Sequence, residues 1–172
     1  MNRKIETKVS VISNATPLIA LIFLNQLDLL NRLFDKTYIP RQGYEEVVGL
    51  DENRAGVKEL RQKIQAGEIF IYDISDHRLV EMMLGRLHRG ELSVMMAAKE
   101  LGISLVLMDD ASARKTAESF SLAPIGTVGI LKMAKLKGLI SEIKPLLDKL
   151  IENNFRISLK LYNEILKDVS EL

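Results

Sequence analysis

The chain contains no cysteine, and only two of its 172 residues are histidine, His77 and His88. The lack of cysteine excludes disulfide bonds and thiolate zinc sites, and it is typical of a protein from a reducing cytoplasm. Two histidines are too few for a histidine-rich metal centre. We therefore expect any metal site in this protein to be built from oxygen ligands.

A long apolar segment and a large net charge are also missing. The beginning, MNRKIETKVSVIS, has only a short apolar run broken by polar residues, which predicts neither a signal peptide nor a membrane anchor. The formal charge of +1 excludes a strongly cationic nucleic-acid binder, although local basic patches remain possible. With 47% hydrophobic and 27% charged residues, the composition is globular. We expect a soluble cytoplasmic protein without a membrane partner.

Short apolar segments alternate with amphipathic helical patterns along most of the chain. The segments predicted as strands are residues 9–13, 37–39, 68–74, 103–108 and 123–125. This alternation is typical of βαβ units, so it predicts an α/β fold with a parallel sheet of about five strands between two helical layers. We expect an α/β domain at residues 1–138 and a helical extension at residues 139–172 packed on it.

Local signals predict where the helices begin and end. Apolar stripes are predicted on two helices of the extension, one with Leu146, Leu150 and Ile151 and one with Leu161, Ile165 and Leu166. The predicted breaks and ends are Asn25-Gln26, Gly67 and Gly102, and the predicted starts are Pro40, residues 51–54, Asp76, Gly90-Glu91, Ser141 and Ser158.

Polar residues collect at the predicted carboxyl ends of the strands, where ligands bind in open parallel sheets. Two carboxylates about 4 Å apart repel each other by roughly 4 kcal/mol at an effective dielectric near 20, and a domain is stable by only about 5–15 kcal/mol. Converging carboxylates of this kind therefore predict a hard cation, Mg²⁺ or Mn²⁺. The residues concerned are Asn14, Thr16, Glu45, Glu46, Glu91, Asp109 and Asp110.

A purely structural interpretation of the same residues stays open. Asp110 can cap the helix that follows it, with Asp109 as a bystander. Glu91 can favour the dipole of its own helix, and Glu45 and Glu46 can be a solvated surface. Other enzyme classes fit less well: a receiver domain needs a lysine where Gly126-Thr127 stands, and NATPL after strand one is not a glycine-rich phosphate loop.

Four blocks of the sequence, in this order, resemble a prokaryotic branch of the PIN-domain family. They are VISNATPLIAL, YIPRQGYEEVV, RGELSVMMAAKELGISLVLMDDASARKTAE and APIGTVGILKMAKLKGLI, and the similarity extends to NNFRISLKLYNEIL. The resemblance implies a three-layer α/β/α fold and kinship with VapC-type toxins. It also implies a metal-dependent endoribonuclease that acts on single-stranded RNA, with a cognate antitoxin.

The resemblance implies a role for each acid. Its four metal-binding positions fall on Asn14, Glu46, Glu91 and Asp109, with Glu45 as a weaker choice for the second. Glu46, Glu91 and Asp109 would be catalytic together with Asp110, which would orient the attacking water. Asn14 departs from the family pattern because that position is usually Asp. The site thereby loses one negative charge, and a catalytically weakened or inactive nucleic-acid-binding protein becomes the alternative.

Basic residues near these acids are expected to meet the phosphates of the RNA. The residues assigned to nucleic-acid contact are Thr16, Arg89, Arg114 and Lys115, and Arg86 and His88 could extend the patch. Because relatives of the toxin type pair with themselves, we also expect a homodimer. Its interface is predicted to involve Leu24, Leu27 and Leu30, or the apolar residues of the extension.

Overall fold

A parallel five-stranded sheet forms the centre of the protein, in a computed structural model that describes residues 8–50, 55–85 and 87–172. The strand order is β3-β2-β1-β4-β5, and every pair is parallel. The predicted α/β fold with about five parallel strands is confirmed. The strands are β1 (Val11–Ser13), β2 (Thr37–Pro40), β3 (Ile69–Tyr72), β4 (Leu105–Leu107) and β5 (Ala123–Ile125).

Helices connect successive strands and continue beyond β5. Within the described ranges, no helix is both long enough and apolar enough to cross a membrane. The helices are α1 (Ala15–Phe23), α2 (Leu29–Leu33), α3 (Arg41–Leu50), α4 (Ala55–Gln65), α5 (His77–Met83), α6 (Arg89–Leu101), α7 (Ala111–Ser119), α8 (Thr127–Leu136), α9 (Lys144–Glu152) and α10 (Leu159–Asp168).

The two faces of the sheet carry separate hydrophobic cores. Successive strand residues point to opposite faces, so Val11 belongs to one core and Ile12 to the other. The larger core packs against α1–α4 and also includes buried residues of α8–α10, such as Leu147 and Ile165. The smaller core packs against α5–α7. The helices after β5 therefore share a core with the sheet.

Most of the predicted helix boundaries are confirmed, and the exceptions have tertiary causes. Asn25, Gly67 and Gly102 adopt positive φ values of 55°, 71° and 65° at helix ends, and Asp76 and Ser158 cap α5 and α10. The predicted start at Ser141 is wrong, because α9 begins at Lys144. Pro40 ends β2 and precedes α3, and α6 begins one residue before Gly90. The start predicted at residues 51–54 lies outside the described residues.

The apolar stripes of the extension are confirmed only in part. Helix α9 buries Leu147 and Leu150, whereas Ile151 is exposed. Helix α10 buries Ile165 and Leu166, whereas Leu161 is 38% exposed. The leucines proposed for a dimer interface, Leu24, Leu27 and Leu30, are at most 4% exposed because they fill the larger core. That part of the prediction is wrong.

Candidate active site at the carboxyl edge of the sheet

The order of the strands brings three of the predicted acid-bearing segments to one edge. Strand β1 lies between β2 and β4, and all three run in the same direction. Asn14 follows β1 directly, and its N–H donates to the carbonyl of Leu107 at the end of β4 at 2.9 Å. Helix α3 follows β2 without a loop and carries Glu46. The cleft at this edge is therefore formed by adjacent strand ends.

Asn14 is held in one orientation by the helix it caps. Its side chain is buried, and Oδ1 accepts a hydrogen bond from the Ala15 N–H at 2.9 Å. This bond identifies the oxygen end of the amide, since the nitrogen end could not accept it. The Asn14 oxygen retains a second lone pair for a ligand.

Glu46 and Asn14 meet at the beginning of α6, next to Gly90. A Cβ atom added to Gly90 would lie 2.7 Å from Glu46 Oε1 and 3.4 Å from Asn14 Oδ1. Two oxygen donors from different elements thus surround one point, and only a glycine lets the helix backbone approach them this closely. Gly90 is buried. This position requires glycine because glycine has no side chain, and not because of its conformational freedom.

Glu46 has a carboxylate that lacks hydrogen-bond donors. Among the described residues, none donates a hydrogen bond to it or forms an ion pair with it. Partial burial and the negative charge of Glu91 raise the pKa of Glu46 above its ordinary value, and the nearby His88 opposes this. Glu46 is nevertheless an exposed residue. Its oxygens are therefore available to bind a group that the protein itself does not supply.

Glu91 combines burial with a local structural role. It is only 6% exposed, and its Oε2 accepts the His88 N–H at 3.1 Å, which is the glutamate half of a capping box. Glu91 therefore has a structural role at the start of its own helix, through a capping bond that the sequence analysis did not predict. Glu91 also acts on Glu46, because its negative charge contributes to the raised pKa of Glu46.

Asp109 and Asp110 are adjacent in sequence but bind different partners. Asp110 caps α7 by accepting the Ala113 N–H at 2.8 Å, as the structural interpretation predicted. Asp109 accepts the N–H and the hydroxyl of Thr127, both at 2.7 Å. Burial raises the pKa of Asp109, although the Thr127 bonds and the charge of Arg114 oppose it. Asp109 is thus anchored at the carboxyl end of β5.

A family model described as a PIN domain matches residues 10–171. The chain belongs to the PIN-domain family. No curated protein and no solved structure matches it. Membership suggests a nuclease, and hence a hydrolase that binds nucleic acid, and PIN domains generally use divalent metals.

The donor set of this PIN domain suits a hard divalent cation, although the side chains do not form a closed cage. Among the described residues, no three His, Cys, Asp or Glu side chains lie close enough together to hold a metal ion. The amide oxygen of Asn14 and the carboxylate of Glu46 nevertheless converge at Gly90, and both are ligand types that Mg²⁺ and Mn²⁺ prefer. Glu91 and Asp109 each bind an N–H donor in this arrangement.

The predicted nucleic-acid contacts of the PIN domain are distributed unevenly around the cleft. Arg89 is exposed and lines two neighbouring cavities of about 430 and 420 Å³, the first of which also contains Glu91 and Asp110. Arg114 lies beside Asp109 and Gly126. Thr16 and Lys115 are exposed, and neither lines a described cavity of the site. Arg86 lies outside the described residues.

Sequence analysis missed two residues that shape the site, Gly90 and Thr127. Thr127 is fully buried and follows β5, the strand next to β4. A hydroxyl two residues after a strand was the available signal for Thr127, because that position again lies at the carboxyl edge. For Gly90 the signal was a glycine in the first turn of a helix, where nothing local requires one.

Proposed function

We propose that this PIN domain is a metal-dependent endoribonuclease that hydrolyses single-stranded RNA. The observation that carries the proposal is the convergence of Asn14 Oδ1 and the donor-free Glu46 carboxylate at Gly90, on the edge of the sheet where ligands bind. A bound Mg²⁺ or Mn²⁺ would lower the pKa of a water molecule and stabilise charge on the scissile phosphate.

The cation would be held by Asn14 and Glu46 where they converge at Gly90, and Glu91 and Asp109 would move towards it to complete its ligands. Glu91 accepts one hydrogen bond and Asp109 accepts two. Both can still bind a cation, since a carboxylate has about four acceptor positions. Asp110 would orient the attacking water next to this cluster. The catalytic acids are thus Glu46, Glu91, Asp109 and Asp110.

Substrate binding is assigned to basic and hydroxyl groups at the rim. Arg89 lines the cavity that contains Glu91 and Asp110, and it forms no ion pair with any described residue. An unpaired guanidinium at this position suits a phosphate of an incoming strand. Thr16, Arg114 and Lys115 complete the set that we assign to the RNA backbone.

We also infer a biological context, the toxin component of a toxin–antitoxin pair of the VapC type. The support is the resemblance of the four sequence blocks to that branch of the family. A small reading frame that overlaps the upstream end of this gene is the expected finding, and a gene that stands alone would speak against it. In the cytoplasm, the antitoxin would inhibit the cleavage of RNA by this protein.

A homodimer remains part of this proposal, with an interface on the extension. Leu159 and Ile151 of the extension are 75% and 43% exposed and are large apolar side chains without a place in either core. Sedimentation at micromolar concentration should show a species of twice 19.4 kDa. A clean monomer would contradict the homodimer without affecting the nuclease proposal.

A binding protein without turnover is the second candidate, and one observation favours it. Asn14 supplies a neutral amide where the family usually has an acid, and Glu91 is engaged in a helix cap. Both features lower the negative charge available to a cation. Such a protein would bind RNA and leave it intact.

The decisive experiment is cleavage of labelled single-stranded RNA with Mn²⁺, with and without EDTA. We expect Glu46→Gln to reduce the cleavage rate at least about 10²-fold, because it removes the charged ligand. It should also abolish the rise in melting temperature caused by Mn²⁺. Glu45→Gln is the matched control, because it makes the same change one residue away, on a side chain that lines the cavity of about 420 Å³. It should alter neither the cleavage rate nor the rise in melting temperature. RNA that the wild-type protein binds but does not cleave would favour the second candidate.

A further inference from the structure

A groove beside Asp109 is formed jointly by the α/β domain and the end of the chain. It has a volume of about 410 Å³. One wall comes from Arg114 and from Gly126 at the end of β5, and the opposite wall comes from the segment before α10, with Phe155 and Arg156. The groove is therefore continuous with the candidate active site through Asp109.

The turn between α9 and α10 places the second wall. Helix α9 ends at Glu152, and Asn154 adopts a φ of 64°, which reverses the chain. The Phe155 N–H donates to the carbonyl of Leu150 at 2.9 Å, which closes this turn. Phe155 is half-buried against the larger core, whereas Arg156 is exposed. The ring is thus packed on one side, and the side chain next to it is accessible from solvent.

The charges of the groove favour an anion. Arg114 Nη1 lies 3.7 Å from the position of a Cβ on Gly126, so the guanidinium is next to the backbone that follows β5. Arg156 forms no ion pair with any described residue. The carboxylate of Asp109 is already bound by Thr127. Two cations thus face the groove with one carboxylate that has its own donors.

The remaining lining is apolar and includes one aromatic ring. Leu161 is 38% exposed at the groove although it belongs to the apolar side of α10. An anionic ligand with a flat apolar part would satisfy both the guanidinium groups and the ring. A single-stranded nucleic acid has these two parts, because its phosphates are charged and its unpaired bases stack on aromatic side chains. A duplex hides its bases and would not.

We infer that the groove is a nucleotide subsite, in which Phe155 receives a base and Arg114 and Arg156 bind the adjoining phosphates. The inference rests on the proposed function, because it places this nucleotide next to the scissile bond. It assigns the extension a role in substrate binding, since two of the three contact residues lie beyond residue 138. The extension would thereby restrict the enzyme to single strands.

The inference can be tested with the full-length protein and a 12-nucleotide fluorescent single-stranded RNA, measured by anisotropy in EDTA so that no cleavage occurs. Phe155→Leu keeps an apolar side chain but removes the stacking ring, and we expect it to weaken binding at least about fivefold. Arg156→Gln should weaken binding by a similar factor. It should also reduce the slope of log affinity against log salt by about 1, whereas Phe155→Leu should not change the slope. Lys167→Gln removes the same charge from an exposed position of α10 away from the groove and should match wild type.

The possible outcomes separate this inference from the proposed function. If both groove variants bind RNA as Lys167→Gln does, the inference is overturned and the groove is left to a protein segment, even when the wild-type protein cleaves RNA. If the groove variants lose binding but no RNA is ever cleaved, the subsite stands and the nuclease proposal fails. Should Phe155→Leu fail to fold, which a melting curve reveals, the exposed Arg156 still decides the question. Equal losses on duplex RNA would contradict the assignment of a base to Phe155.

Discussion

The cleft and the extension hold their carboxylates in opposite ways. In the extension, Glu171 accepts the N–H groups of Ile143 and Lys144, both at 2.9 Å, and pairs with Lys135 at 2.8 Å. Burial acts to raise the pKa of Glu171, but these donors outweigh it and lower the pKa. In the cleft, burial prevails and raises the pKa values of Glu46 and Asp109, and the negative charge of Glu91 adds to the effect at Glu46.

The same contrast is found on the other side of the sheet. Glu100 accepts bonds from the Tyr72 hydroxyl at 2.8 Å and from the N–H groups of Ser75 and Asp76 at 3.0 and 3.1 Å. These donors outweigh burial and lower the pKa of Glu100. Glu171 and Glu100 thus receive donors that outweigh burial, whereas among the described residues Glu46 receives none, and the donors of Asp109 do not outweigh its burial. Ionisation of Glu171 or Glu100 therefore stabilises the fold, whereas ionisation of Glu46 or Asp109 destabilises it. A negative charge that destabilises the fold is expected where a cation binds.

The largest effect should come from filling the space at Gly90. In Gly90→Ala, the new Cβ would lie 2.7 Å from Glu46 Oε1, so the carboxylate must move away. We expect the rate of RNA cleavage to fall by about 10²-fold, since displacing a catalytic group by about 1 Å has an effect of that size. The melting temperature should stay equal or rise, because Glu46 is flexible and alanine favours a helix by up to about 1 kcal/mol.

A matched control for Gly90→Ala lies on the helix that carries Glu46. A Cβ on Gly49 would have no described atom within 4 Å, so Gly49→Ala should leave cleavage unchanged. If Gly90→Ala cleaves RNA at the wild-type rate, the convergence of Asn14 and Glu46 has no part in catalysis.

The next largest effect should come from Glu171. Glu171→Gln should lower the free energy of unfolding by about 1–3 kcal/mol at pH 7, because it removes the charge that three donors stabilise. Since the folded pKa lies below the ordinary value of 4.5, this stabilisation is present above pH 4.5 and is lost as the pH falls through the folded pKa. Denaturant unfolding at pH 7 and near pH 3 measures the difference, which should shrink in acid.

Glu46→Gln is the counterpart, with the opposite sign. Because the folded pKa of Glu46 is raised, its ionised form costs stability above that pKa, and the cost disappears as the pH falls through it. The variant should therefore be slightly more stable than wild type at pH 7 without metal, by no more than about 0.5 kcal/mol at this exposed position. A clear loss of stability would mean that Glu46 is a structural residue after all.

The last comparison concerns Asn14. Asn14→Asp keeps the helix cap, since a carboxylate can also accept the Ala15 N–H, but it adds a charge beside Glu46. We expect Mn²⁺ to bind about tenfold more tightly by calorimetry, and the metal-free protein to lose about 1 kcal/mol through repulsion. Asn163→Asp adds the same charge at an exposed position of α10 and should change neither value. Unchanged Mn²⁺ affinity would place Asn14 outside the metal's ligands.

Local patterns predicted those parts of the fold that depend on nearby residues. The turns at Gly67 and Gly102 and the caps at Asp76 and Ser158 follow from steric limits and short-range hydrogen bonds. The start of α9 did not follow, because Ile143 and Lys144 give their N–H groups to Glu171, almost thirty residues further along. A serine cap at Ser141 was therefore not required.

The site shows the same division. The edge at which the acids gather was predictable, because parallel strands bring their carboxyl ends together and the residues after β1, β2 and β4 are polar. The clearance at Gly90 and the binding of Thr127 were not, since both depend on side chains from elements distant in sequence. The placement of Leu24, Leu27 and Leu30 in the core likewise depends on helices that arrive much later in the chain.

The two adjacent acids after β4 separate these two kinds of information. Asp110 caps its own helix through Ala113, three residues away, and a helix that begins here needs such an acceptor, so the sequence by itself determined that role. Asp109 binds Thr127, eighteen residues away, and only the pairing of β4 with β5 brings them together. A bond within one turn of chain follows from local geometry, whereas a bond between strand ends exists only once the sheet has formed.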